Sequence, residues 1–152
     1  ADSCWVDILA AETGWTVRNM GVNGREIPRT ALDLPSDTDL LIVMLGSNDL
    51  LQGHSPEEAA GKLERFLSGL SLPRDHILLI APPPMCRGAW VSSQQFIGDS
   101  RTFAQCCRSL AKRLDARFAD AGDWNIPMAY DGVHFTEQGH QAFAAGLLEV
   151  LK

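Results

Sequence analysis

The 152-residue chain is 45% apolar and 21% charged, the balance of one folded domain that buries about two-thirds of its unfolded surface, which excludes a disordered segment. Its 13 basic and 19 acidic side chains leave a net charge of −6 with no basic cluster, so a nucleic-acid backbone or an anionic lipid surface has nothing to grip. The longest aliphatic run, Leu40 to Leu45, falls far short of the ~20 apolar residues a membrane helix needs.

Trp5, Ile8 and Leu9 recur at i, i+3 and i+4 and predict a short amphipathic helix that Gly14 ends, followed by a strand over Thr16 to Met20. Asp39 to Leu45, closed by Gly46, reads as a continuous aliphatic run and predicts a strand at the centre of the sheet. Ser55-Pro56-Glu57-Glu58 combines an N-cap serine, proline at the first helical position and a capping-box glutamate, so a helix begins there. Ala59, Leu63, Phe66, Leu67 and Leu70 form its apolar face. His76 to Ala81 predicts a second aliphatic strand, which Pro82-Pro83-Pro84 must end because three successive residues lack an N–H for the ladder. Phe103, Cys106, Leu110 and Leu114 mark a long helix, Ala116 to Ala119 a short last strand, and Phe143, Leu147, Val150 and Leu151 a final helix.

This alternation predicts the α/β class, with three α/β/α layers around a mostly parallel sheet in a single domain over residues 1–152. The four cysteines, Cys4, Cys86, Cys106 and Cys107, show no C-x-x-C pair and no metal-type spacing. They read as reduced, mostly buried thiols of a cytoplasmic protein; an exported form whose leader has been removed stays open, since Ala1 is not an initiator methionine.

In open parallel sheets ligands bind beyond the carboxyl ends of the strands, and three clusters fall there. Gly21-Val22-Asn23-Gly24 reads either as a turn needing positive φ or as a place where the Gly24 N–H approaches a developing oxyanion. Gly46-Ser47-Asn48-Asp49 reads either as a strand-ending turn or as a fixed amide donor at Asn48. Asp131-Gly132-Val133-His134 offers a carboxylate able to orient an imidazole, against the plainer reading of a surface turn with an incidental histidine. A metal held by Asp131 and His134 with His140 or His54 is the weaker rival, because His134 and His140 are not spaced to share a helical face.

In this order the clusters resemble the SGNH hydrolase (GDSL-type esterase/lipase) superfamily, most nearly its bacterial arylesterase and acetyl-esterase branch. Trp5 to Leu9 is similar to the helix before the second block, Asn19 to Arg25 to that block, and Leu41 to Asp49 to the third. Ile77 to Met85 is similar to the strand and proline loop of that branch, and Asp131 to Gly139 to the fifth block. The resemblance implies a flavodoxin-like sheet and hydrolysis of a small acetyl or aryl ester through an acyl-serine intermediate, with no metal and no organic cofactor. Carried over by position, it makes the Gly24 N–H and the Asn48 side chain oxyanion donors, Asp131 the orienting carboxylate and His134 the general base.

The family's nucleophile sits in a Gly-Asp-Ser block after a first, mid-sheet strand. Ala1-Asp2-Ser3 echoes that block, but no aliphatic run precedes it and Trp5 follows too soon, so Ser3 reads as loop. The first strand and the nucleophile are therefore expected upstream of Ala1, with the domain incomplete at its N-terminus and that strand supplied from elsewhere, a second copy included. Ser47, following a strand as an elbow nucleophile would, is the alternative. Pro82 to Pro84, Met85, Arg87 and Trp90 are expected to wall the site, with Trp90 equally readable as core or interface packing. Arg25 is expected either to meet a substrate carboxylate or sugar hydroxyl or to lie exposed. The expected partner is a small ester, with a homo-oligomer left open; the alternative function is a non-catalytic carbohydrate- or acyl-binding domain on the same scaffold.

Overall fold

The computed structural model describes residues 4–21, 24–30 and 32–152; the expected loop at Ser3 lies outside them. Helix α1, Trp5–Thr13, ends where the sequence places its stop, with Gly14 in the left-handed region and its N–H donating to the Ala10 carbonyl. Strand β1, Leu41–Val43, is followed by the short helix α2, Ser47–Leu51, and by α3, Pro56–Ser68. The α3 start is the predicted capping box: Ser55 Oγ accepts from the Glu58 N–H and Glu58 Oε1 accepts from the Ser55 N–H, each at 3.1 Å. Strand β2, Ile77–Ala81, helix α4, Gln94–Leu114, strand β3, Arg117–Asp120, and helix α5, Glu137–Val150, complete the order. No helix among the described residues is long and apolar enough to cross a membrane.

The three strands are parallel in the order β1-β2-β3, with Leu41 opposite Ile77 and Leu78 opposite Arg117. All five residues of β2 are buried, and their alternation divides the core in two. Ile77, Leu79 and Ala81 point with Val43 to the face covered by α3 and α4, where Leu63, Phe66, Leu67, Phe103, Cys107 and Leu110 pack. Leu78 and Ile80 point with Ala119 to the opposite face, covered by Leu9 of α1 and Phe143 and Leu147 of α5. The result is the predicted three-layer α/β/α arrangement.

Several expectations are corrected. Residues 16–20 form no strand: extended chain becomes a strand only by pairing, and this segment has no ladder partner among the described residues. The Asp39 to Leu45 run forms a strand over three residues only, at the sheet's edge, and β2 takes the centre because it alone is paired on both sides. On α4 the inward thiol is Cys107 rather than Cys106, one position further round the helix. The expected set of mostly buried thiols is likewise wrong: Cys86 is exposed and Cys4 and Cys106 are half-buried, since three of the four fall on loops or helix flanks. Burial, with Cys106 and Asp120 nearby, pushes the Cys107 thiol up to about 12 and leaves it inert.

At the turn from β1 into α2, Gly46 has φ of +124°, and a Cβ built on it would lie 2.3 Å from Cζ of Phe103. Backbone conformation and the aromatic ring of α4 thus both demand glycine at the residue that aims α2. Gly46→Ala is expected to cost roughly 2–5 kcal/mol, the sum of a strained φ and an overpacked contact, read as a lower urea midpoint at unchanged m-value.

Candidate active site

Because the strands are parallel, their carboxyl ends share one edge of the sheet, and the segments leaving that edge carry the candidate residues. The first group is organised by α2. Asp49 is fully buried; its Oδ1 accepts from the Ile27 N–H at 2.9 Å, and its Oδ2 is paired with the Lys62 ammonium of α3. Its neighbour Asn48 donates from Nδ2 to the Arg25 carbonyl at 3.1 Å. Two successive side chains of α2 therefore grip the 24–27 segment, which brings Asn48 beside the stretch that begins with Gly24. One Nδ2 hydrogen is held by Arg25, which fixes the amide plane and leaves the second hydrogen for another acceptor. Gly24 has φ of +75°, and a Cβ there would meet nothing within 4 Å, so the space around it is open.

The second group is Asp131 and His134. Asp131 is 5% exposed, and its Oδ1 accepts from the backbone N–H groups of Val133 and His134, both at 2.8 Å. Its Oδ2 lies 2.6 Å from His134 Nδ1. Burial alone would raise the Asp131 pKa, but the two backbone donors and the imidazole outweigh it and hold the carboxyl below its ordinary value. With Nδ1 engaged, Nε2 is the ring nitrogen left for chemistry, on a side chain 53% exposed. The turn is itself anchored: Ala129 N–H donates to the His134 carbonyl, Met128 bridges Phe135, and Thr136 caps α5 by accepting from the Gly139 N–H.

The loop after β2 clamps this turn. Cys86, Ala89 and Trp90 donate their N–H groups to the carbonyls of Gly132, Tyr130 and Asp131 at 3.0–3.1 Å. The approach is so close that a Cβ on Gly132 would lie 2.1 Å from the Cys86 carbonyl oxygen, and one on Gly88 would lie 2.5 Å from the Asp131 carbonyl carbon. The same loop brings the Trp90 indole edge-on to the His134 ring, centroids 5.2 Å apart. Trp90 is 54% exposed, so it packs at the site's surface and not in the core.

Other expected residues lie elsewhere. Met85 is buried in the apolar cluster, and Pro82 and Pro83 are buried beside it after β2, so they are no wall. Arg25 is half-buried, not exposed, because Nη1 donates to the Met20 carbonyl at 3.1 Å. Ser47 opens α2 without a hydrogen bond to His134 among the described residues. The histidines of the metal reading are separate: His140 Nδ1 accepts from the Trp5 N–H at 3.2 Å, and His54 lies 3.3 Å from Glu26. Glu26, Asp49 and His54 do offer ligand atoms within 4.8 Å of one another, but the Lys62 ammonium binds Asp49 and lies 3.6 Å from Glu26, which makes the cluster an ion-pair network.

Two residues escaped the sequence reading. Lys62 stands three after Ala59 and four before Phe66, within the buried stripe of α3, and a lysine at such a position signals a buried acid opposite. Gly98-Asp99-Ser100 repeats the family's tripeptide inside α4, but Ser100 is 5% exposed, with Oγ accepting from the Met85 N–H at 2.9 Å and donating to the Ile97 carbonyl at 2.7 Å. Its hydroxyl is committed to the proline loop.

Lys62→Met should strand the Asp49 carboxylate without a counter-charge and cost about 3–5 kcal/mol, seen as a lower denaturation midpoint, with Asp49→Asn/Lys62→Met recovering much of the loss. The depressed Asp131 pKa makes the native state bind fewer protons than the unfolded chain, so Asp131 contributes stability above the ordinary value of 3.8. That contribution drains as pH falls from there through the lower folded value. Urea midpoints of wild type and Asp131→Asn should therefore differ by a constant amount above about pH 4 and draw together as pH falls below it.

GDSL esterase/lipase WDL1 of Oryza sativa subsp. japonica is 23% identical over 171 residues, which cover 95% of this chain and 65% of the rice protein. The chain thus spans less than two-thirds of that relative's length. The carbohydrate acetylesterase family member from Sinorhizobium meliloti superposes with a TM-score of 0.81 at 25% identity, over 99% of this chain and 85% of that one. The aryl esterase of M. smegmatis, at 22% identity and a TM-score of 0.78 over the same shares, has the same fold. The model of the GDSL-like lipase/acylhydrolase family runs through residues 2–142, across both groups described above, and on that match the chain belongs to this family.

Proposed function

We propose that the protein is a serine-type carboxylic ester hydrolase acting on small acetyl or aryl esters. The observation that carries this reading is the 2.6 Å contact from Asp131 Oδ2 to His134 Nδ1, with the other carboxylate oxygen held by two backbone N–H groups. A carboxylate so fixed sets the tautomer and orientation of the ring and stabilises the imidazolium that forms when Nε2 takes a proton.

In this mechanism His134 Nε2 removes the proton of a seryl hydroxyl as its oxygen attacks the ester carbonyl carbon. The negative charge moves to the carbonyl oxygen, which accepts from the Gly24 N–H and from the free Nδ2 hydrogen of Asn48; each such donor is worth about 3–4 kcal/mol in the transition state. Collapse breaks the bond to the alcohol, which leaves with the proton from Nε2. Water then attacks the acyl-serine by the same route in reverse, releasing the acid and restoring the hydroxyl. The serine is proposed to belong to a Gly-Asp-Ser block upstream of Ala1. This is supported by the commitment of Ser100 Oγ to the proline loop and by the lack of a Ser47–His134 hydrogen bond among the described residues. The exposed Trp90 indole beside His134 offers a flat apolar surface to an aryl group or a sugar ring. The esterases named above, which share this fold, support the ester class.

Hydrolysis of p-nitrophenyl acetate by the full-length protein should fall about 10²–10⁴-fold in His134→Ala with the circular dichroism unchanged. A fluorophosphonate probe should label one serine, and mass mapping assigns it upstream or to Ser47. A full rate in His134→Ala removes it as the base. A folded protein that takes no label, yet retains a carbohydrate or acyl ligand, is instead a binding domain on this scaffold.

A further inference from the structure

We infer that Ser100, on α4, is a positioning residue that sets the Asp131–His134 pair through the loop after β2; its catalytic consequence rests on His134 being the base. Three observations connect them. First, Pro82-Pro83-Pro84 provide no N–H, so Met85 offers the first amide after β2 by which the loop can be anchored, and that amide donates to Ser100 Oγ at 2.9 Å. The Ser100 proton is spent on the Ile97 carbonyl at 2.7 Å, which turns the hydroxyl's lone pairs toward Met85. Ser100 and Met85 are both buried, so without Oγ the amide has no water to turn to and must move to find an acceptor.

Second, the residue after Met85 begins the clamp on the dyad turn, Cys86 N–H to the Gly132 carbonyl, and Ala89 and Trp90 extend it to Tyr130 and Asp131. Third, the clamp has no slack. The contacts at Gly88 and Gly132 leave no room for a single added carbon, so a shift of Met85 passes to Asp131 and His134 and is not absorbed between them. Trp90, on the same loop and against the His134 ring, moves with them.

The test compares Ser100→Ala, Ser100→Cys and Ser100→Thr in the full-length protein. Ser100→Cys keeps a side chain of the same shape, slightly larger, and weakens the acceptor, so it carries the same readouts if Ser100→Ala does not fold. In the alanine and cysteine variants the carbon-13 titration midpoint of the Asp131 carboxyl should rise, and amide exchange at Cys86, Ala89 and Trp90 should quicken. With p-nitrophenyl acetate kcat should fall about tenfold with KM within twofold, short of the ~10²-fold that an ångström of misplacement can cost. Ser100→Thr, which retains the hydroxyl, should restore all of these. A folded Ser100→Ala or Ser100→Cys with the wild-type Asp131 midpoint, exchange rates and kcat overturns the inference, as does a loss of kcat that Ser100→Thr shares with the Asp131 titration unmoved. Titration and exchange need no turnover, so if His134→Ala keeps full activity the functional reading fails while these two still decide whether Ser100 positions the pair.

Discussion

Five consecutive residues, Ile77–Ala81, are shut off from water, and everything around them follows from the need to satisfy a buried extended backbone and to cover both of its faces. A parallel partner on each side answers the first need, and alternate side chains answer the second by drawing α3 and α4 to one face and α1 and α5 to the other. The strand must then leave the sheet, and three prolines make that departure rigid. The loop so formed is held to α4 at one end and to the dyad turn at the other, so the centre of the fold and the candidate site are mechanically continuous.

Two buried carboxylates share that edge and are satisfied by different kinds of partner. Asp49 is satisfied by one backbone amide and the Lys62 ammonium, and it fastens α2 to the 24–27 segment and to α3. Asp131 is satisfied by two backbone amides and by Nδ1 of an imidazole whose side chain is 53% exposed. Both acids are nearly inaccessible; only the second has a partner that faces solvent.

Legibility in the sequence tracked the range of each interaction. The Ser55 capping box, the Gly14 stop and the Asp131-to-His134 offset were readable because each is complete within five residues of chain. The strand expected at residues 16–20 and the central place expected for β1 were misread because strand status and rank depend on neighbours far away in the chain. Asp49 was readable as an acid at a turn, but its acceptance from Ile27, 22 residues earlier, and its pairing with Lys62 were not. Met85 was expected in a substrate wall and Arg25 at a substrate group or in solvent, whereas Met85 is drawn into the core and Arg25 to the Met20 carbonyl.

By itself the sequence determined the kinds of group available and their local geometry: the α/β alternation, the helix ends, a carboxylate three residues before a histidine, and an asparagine after a strand. Tertiary structure decided which of these meet: the hold of Asn48 on Arg25, and the closure of the loop after β2 on the dyad turn. The reason is physical. Asn48 reaches a backbone carbonyl, and the loop closure is made by backbone N–H and carbonyl groups; every residue carries the carbonyl and all but proline the N–H, so side-chain identity marks the closure only where a glycine, as at positions 88 and 132, is required to let two chains approach.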